Sequence, residues 1–91
     1  MKNKTQGIEI PSGLHQVEYT HNWRGEARQM FVTVVTNEID EHGLYAIESI
    51  SGNTEAIYHL QGELSTLSNR IRFNGIIKDQ LIKKFQHGND N

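Results

Sequence analysis

The stretch LYAIESISGNTEAIYHLQGELSTLSN, residues 44–69, decides the fold, because its periodicity changes once, at Gly52-Asn53. Before that point, Leu44 to Ser51 has the short, apolar-rich make-up of a strand. After it, Ile57, Leu60, Leu64 and Leu67 recur at spacings of three and four, which places one buried stripe along a helix. Asn53 suits the N-cap, since its side-chain oxygen can accept a backbone N–H from the first turn. Glu55 suits the positive end of the helix dipole. The spacing predicts a helix over 54–69, with Ala56 and Ile71 extending its stripe.

Two further strands lie upstream. From Ala27 to Thr36, Met30, Val32 and Val34 point one way and Phe31, Thr33 and Val35 the other. Apolar residues on both faces predict a central strand, covered on both sides or on one side plus a partner. Leu14 to Trp23 also alternates, with His15, Val17, Tyr19, His21 and Trp23 on one face and Leu14, Gln16, Glu18, Thr20 and Asn22 on the other. Arg24-Gly25-Glu26 reads as a tight turn in which Gly25 takes a positive φ. Asn37 to Gly43 is an acidic connection, so the three strands form an antiparallel meander. Ile8-Glu9-Ile10 is a short candidate strand before the turn signal Pro11-Ser12-Gly13.

Downstream, Ile71 to Ile77 alternates, and Asn74-Gly75 between apolar residues signals a hairpin turn or a bulge within one strand. From Asp79, Leu81, Ile82 and Phe85 are spaced for a short C-terminal helix, which is favoured over a continued strand. Residues 1–7 and 87–91 are expected to be mobile tails flanking a single domain over 8–86. The expected fold is α+β: an antiparallel sheet of three to four strands, one amphipathic helix on one face, and a short C-terminal helix. In layout alone, strand–helix–strand over 44–78 resembles half of a ferredoxin-like or ACT-type domain; no residue motif of such a family accompanies it.

At 91 residues the chain has room for one core. Hydrophobic residues make up 35% and charged residues 22%, but the apolar ones are clustered, which points to a folded domain. The absence of cysteine excludes disulfides and thiolate metal sites. Small secreted domains usually need such staples, so a cytoplasmic location is expected. Residues 1–7 have no apolar stretch and do not read as a signal peptide. The run from Met30 to Val35 is too short to span a bilayer, so no membrane partner is expected.

Motif chemistry is sparse. His15 and His21 share a strand face but stand about 20 Å apart at strand rise. His42, His59 and His87 add no HxH, HxxxH or HExxH spacing, so neither a metal nor another cofactor is expected. There is no cysteine nucleophile, no Gly-x-Ser-x-Gly and no Gly-rich phosphate loop, and the chain is not read as an enzyme. Nucleic-acid binding is the alternative reading. Tyr19 and Trp23 lie near Arg24 and Arg28, and Arg72 belongs to a basic C-terminal segment with Arg70, Lys78, Lys83 and Lys84. A net charge of −2 and the core's own need for aromatics weigh against it.

The more informative feature is the outer face of the 54–69 helix. Opposite its apolar stripe lie Tyr58, Gly62, Ser65, Thr66 and Asn69, where a solvated helix usually carries Lys and Glu. Gly62 costs a helix about 1 kcal/mol relative to alanine, and small residues let another backbone approach closely. This face is expected to meet a protein partner, with a second copy across a two-fold axis favoured. The functional expectation is a small cytoplasmic protein-binding or regulatory module that forms a homodimer.

Overall fold

A computed structural model describes the backbone of residues 9–89 and the side chains of residues 9–86. Strands β1 (Leu14–Trp23), β2 (Glu26–Ile39) and β3 (Tyr45–Gly52) form an antiparallel sheet in the order β1-β2-β3. β1 and β2 pair without a break from Leu14↔Val35 to Trp23↔Glu26. Their two-residue turn has φ of 54° at Arg24 and 76° at Gly25. Positive φ at both positions is the type I′ geometry, whose twist matches that of the flanking strands. The β2–β3 ladder is less regular, with register shifts between Thr33 and Val34 and between Val35 and Ile39.

The alternation sorts the sheet faces as expected. Val17, Met30, Val32 and Val34 point toward the helices and are buried, while Leu14 and Phe31 remain exposed on the other face. Helices α1 (Thr54–Glu63) and α2 (Leu67–Asn89) pack on the inner face, and Ala56, Leu60, Phe73, Ile77 and Leu81 complete the core. Each large apolar side chain buried this way contributes about 1.5–3 kcal/mol. The chain is thus an α+β domain in which a three-stranded antiparallel sheet is followed by two helices packed against it.

Asn53 caps α1, its Oδ1 accepting the Ala56 N–H at 3.0 Å. The helix stops at Glu63 and does not run to Asn69. Thr66 begins a second helix by accepting the Asn69 N–H on Oγ1 at 3.3 Å, and Asn69 Nδ2 donates to the Glu63 carbonyl at 3.0 Å. One pair of side chains therefore ends α1 and starts α2, which redirects the chain. As a result Leu67 and Ile71, expected on the buried stripe, are exposed.

The segment read as a strand or hairpin over 71–77 is the middle of α2. Phe73, Ile77 and Leu81 are buried at a spacing of four, with Phe85 packed against the same core. That stripe passes straight through Asn74-Gly75, and its burial outweighs the local turn preference. The helix expected from Asp79 is the second half of α2, and with 71–78 helical the ferredoxin-like layout does not apply. Residues 9–10 form no strand; Ile10 packs against the core instead. Thr36 holds this approach, its N–H donating to the Gly13 carbonyl at 3.0 Å and its Oγ1 to the Pro11 carbonyl at 2.8 Å. The tail expected at 1–7 lies outside the described residues. That at 87–91 does so in part, the α2 backbone running to Asn89. Among the described residues no helix is long and apolar enough to cross a membrane.

Candidate functional site

Two features stand out, one at each end of β2. Beside the 40–44 turn, a cavity of about 560 Å³ is lined by Ile39, Tyr45, Ile47, Leu64, Arg70 and Phe73, among others. Asp40 builds its rim. Its Oδ1 accepts the N–H groups of His42 at 2.8 Å and Leu44 at 3.0 Å, and its Oδ2 accepts from Arg70 at 2.7 Å. The Leu44 N–H above all, with those of His42 and Arg70, holds the Asp40 carboxyl below its ordinary pKa against a smaller desolvation effect. Asn74, buried on α2, accepts the Tyr45 N–H at 2.8 Å and ties the start of β3 to the helix.

These bonds engage Asp40, Arg70 and Asn74 within the fold; the rest of the lining is largely apolar, with the exposed Glu38 and Lys78 at its edges. Ile39 is 55% exposed and Ile71 52%, and the two share a second, smaller depression beside the first. Leu67, also exposed, precedes Ile71 by one turn of α2. Together they form an apolar ridge next to an apolar groove.

Near the Arg24-Gly25 turn, three polar side chains converge. His21 Nε2 lies 3.0 Å from His59 Nδ1, and His59 Nδ1 lies 3.7 Å from Glu63 Oε2. β1 delivers His21 on its inner face, where it is only 3% exposed; α1 delivers His59 and Glu63 one turn apart. Burial pushes the His21 pKa down, the nearby Glu63 charge opposes that shift, and His59 adds to it. Burial likewise raises the Tyr19 phenol, helped by Glu63 and opposed by Arg72. Two imidazoles and a carboxylate so placed can act as metal ligands. Sequence spacing missed them because the histidines are 38 positions apart. The legible signals were the His59/Glu63 pair at i,i+4 and the inward face of His21.

The residues expected on a partner face divide. Tyr58 is 80% exposed on α1 and Gly62 is also exposed. Ser65, Thr66 and Asn69 lie in or beside the α1–α2 junction, between the groove-lining Leu64 and Arg70, with Thr66 and Asn69 acting as caps. Of the residues considered for nucleic acid, Tyr19 packs edge-on against Phe73 at 4.7 Å beneath α2. The Trp23 ring carries the Arg24 guanidinium at 4.7 Å and that of Arg28 at 5.8 Å, so its cations are already engaged. Arg72 is exposed on α2 and reaches Asn69.

No protein-family model matches the chain, and neither does any curated protein or solved structure.

Proposed function

We propose that this chain is a small protein-contact module that pairs with a second copy of itself through the groove and the apolar ridge beside it. The observation that carries the reading is that Ile39 and Ile71, each more than half exposed, flank a groove in which Asp40, Arg70 and Asn74 are engaged internally. Exposed large apolar side chains gathered in one place mark contact surfaces. A patch that contains both a recess and a projection can be self-complementary about a two-fold axis, the ridge of each copy filling the groove of the other. The Asp40–Arg70 pair supports this too, because those two charges enter an interface already paired. A cytoplasmic, regulatory role by assembly, in line with the cysteine-free composition, completes the proposal.

Light scattering on size-exclusion peaks tests it with two variants. Ile71→Glu puts a charge on the ridge, and Phe31→Glu puts one on the open sheet face. The wild-type chain and Phe31→Glu should elute as dimers, and Ile71→Glu as a folded monomer with an unchanged circular dichroism spectrum. A monomeric wild type at several hundred micromolar, or a dimer that survives Ile71→Glu, contradicts the proposal.

A further inference from the structure

We propose that His21, His59 and Glu63 form a binding site for a divalent transition-metal ion of the zinc class, independently of self-association. The donor atoms come from two elements that are remote in sequence, which sets the cluster apart from a run of surface carboxylates. No two of the three are more than 4.8 Å apart. An ion held tetrahedrally, with bonds of about 2.0–2.1 Å, separates its ligands by roughly 3.3–3.4 Å. The 3.0 Å His21–His59 and 3.7 Å His59–Glu63 separations bracket that value, so shifts of a few tenths of an ångström suffice for these two pairs. Rotation of the Glu63 side chain, itself 38% exposed, closes the third.

The ion-free contact has a simple proton count. One imidazole must donate and the other accept across the 3.0 Å gap, so the pair holds one shared proton there. A metal ion takes the place of that proton and is bound by both nitrogens, the donor imidazole carrying its N–H on its other ring nitrogen instead. Two imidazoles and one carboxylate suit Zn²⁺, Co²⁺, Ni²⁺ or Cu²⁺ better than Mg²⁺ or Ca²⁺, which prefer all-oxygen shells. His59 is 47% exposed on its side chain, so the remaining coordination position faces solvent, as in zinc sites with three protein ligands. The neighbouring charges do not oppose an ion strongly. Arg28 pairs across the strands with His21, but its guanidinium contacts Glu26 at 2.6 Å and lies over Trp23. Tyr19, beside His21, is a neutral phenol. Bound there, an ion links α1 to β1.

The test uses the untagged full chain after removal of metals with EDTA. Co²⁺ titration should give visible d–d absorption that saturates at one ion per chain, and excess Zn²⁺ should raise Tm by about 5 °C or more. His59→Gln and Glu63→Gln alter half-exposed side chains and should keep the circular dichroism of the wild type. Each should weaken Zn²⁺ binding, followed by calorimetry, at least as much as the roughly tenfold lost with an outer-shell partner. Absence of saturable binding overturns the proposal. So does saturable binding that both variants retain in full, which would assign the ion to other histidines.

Discussion

The two ends of the sheet offer opposite chemistry, although both lie under the same pair of helices. Beside the 40–44 turn, Asp40 and Asn74 are occupied by backbone N–H groups and an arginine, and Ile39 and Ile71 are the large apolar side chains that end presents. Beside the Arg24-Gly25 turn, His21 and His59 share one hydrogen bond and Glu63 stands 3.7 Å from His59, contacts an ion can replace. A polar group committed to holding the fold has less to offer a partner. Where the polar groups are so committed, binding falls to apolar surface; where they are not, it falls to lone pairs. That difference is what separates the proposed protein-contact surface from the proposed metal site within one small domain.

The comparison breaks most readily at Asn74. Asn74→Ala leaves the half-buried Tyr45 N–H without its acceptor and should cost about 1–3 kcal/mol in urea unfolding. His59→Gln, at the other end and without metal, keeps an amide that can hydrogen-bond His21 Nε2, and should change stability by no more than about 0.5 kcal/mol. Equal losses would show that the polar groups at the two ends are committed alike. Gly75→Ala comes next. Gly75 lies within α2, and a Cβ there meets nothing within 4 Å. The variant should be more stable by about 0.5–1 kcal/mol, whereas a turn at Asn74-Gly75 would make it less stable.

The smallest effect concerns acid. Asp40 has a lowered native pKa, so below the ordinary carboxylate value of about 4 the unfolded chain takes up its proton before the native one does. The stability it supplies is fully present above that value and declines as pH falls through the native pKa. Urea midpoints between pH 6 and pH 3 should therefore fall less steeply in Asp40→Asn than in the wild type. Identical slopes would mean that the turn does not depend on the carboxylate.

The sheet was legible because its signals are local. Alternation in β1 and β2 sorts the faces of the sheet, and a two-residue loop with Gly25 dictates the hairpin. The helical half was harder, for two physical reasons. Thr66 and Asn69 are ordinary polar residues on a helical wheel, and only their bonds, from the Asn69 N–H to Thr66 and from Asn69 Nδ2 to the Glu63 carbonyl, reveal a helix end. At Asn74-Gly75 a strong turn preference covers a longer stripe, Phe73, Ile77, Leu81 and Phe85, which a wider window over 71–85 would have favoured. Of the candidate surfaces, Ser65, Thr66 and Asn69 fall beside the groove, but Ile71 was hidden by the false continuity of the helix and Ile39 by the acidic connection expected from Asn37, where β2 in fact runs on to Ile39. The His21–His59 contact joins β1 to α1, and no spacing rule spans those 38 positions.

Amide chemical shifts of the ¹⁵N-labelled wild type, followed on dilution in the presence of EDTA, test the contact surface most directly. Self-association through the groove and ridge predicts concentration-dependent shifts confined to residues 38–47 and 64–74, with those of Phe31 and His59 unmoved. Shifts centred instead on Leu14, Phe31 and Val35, or none at any concentration, would contradict it.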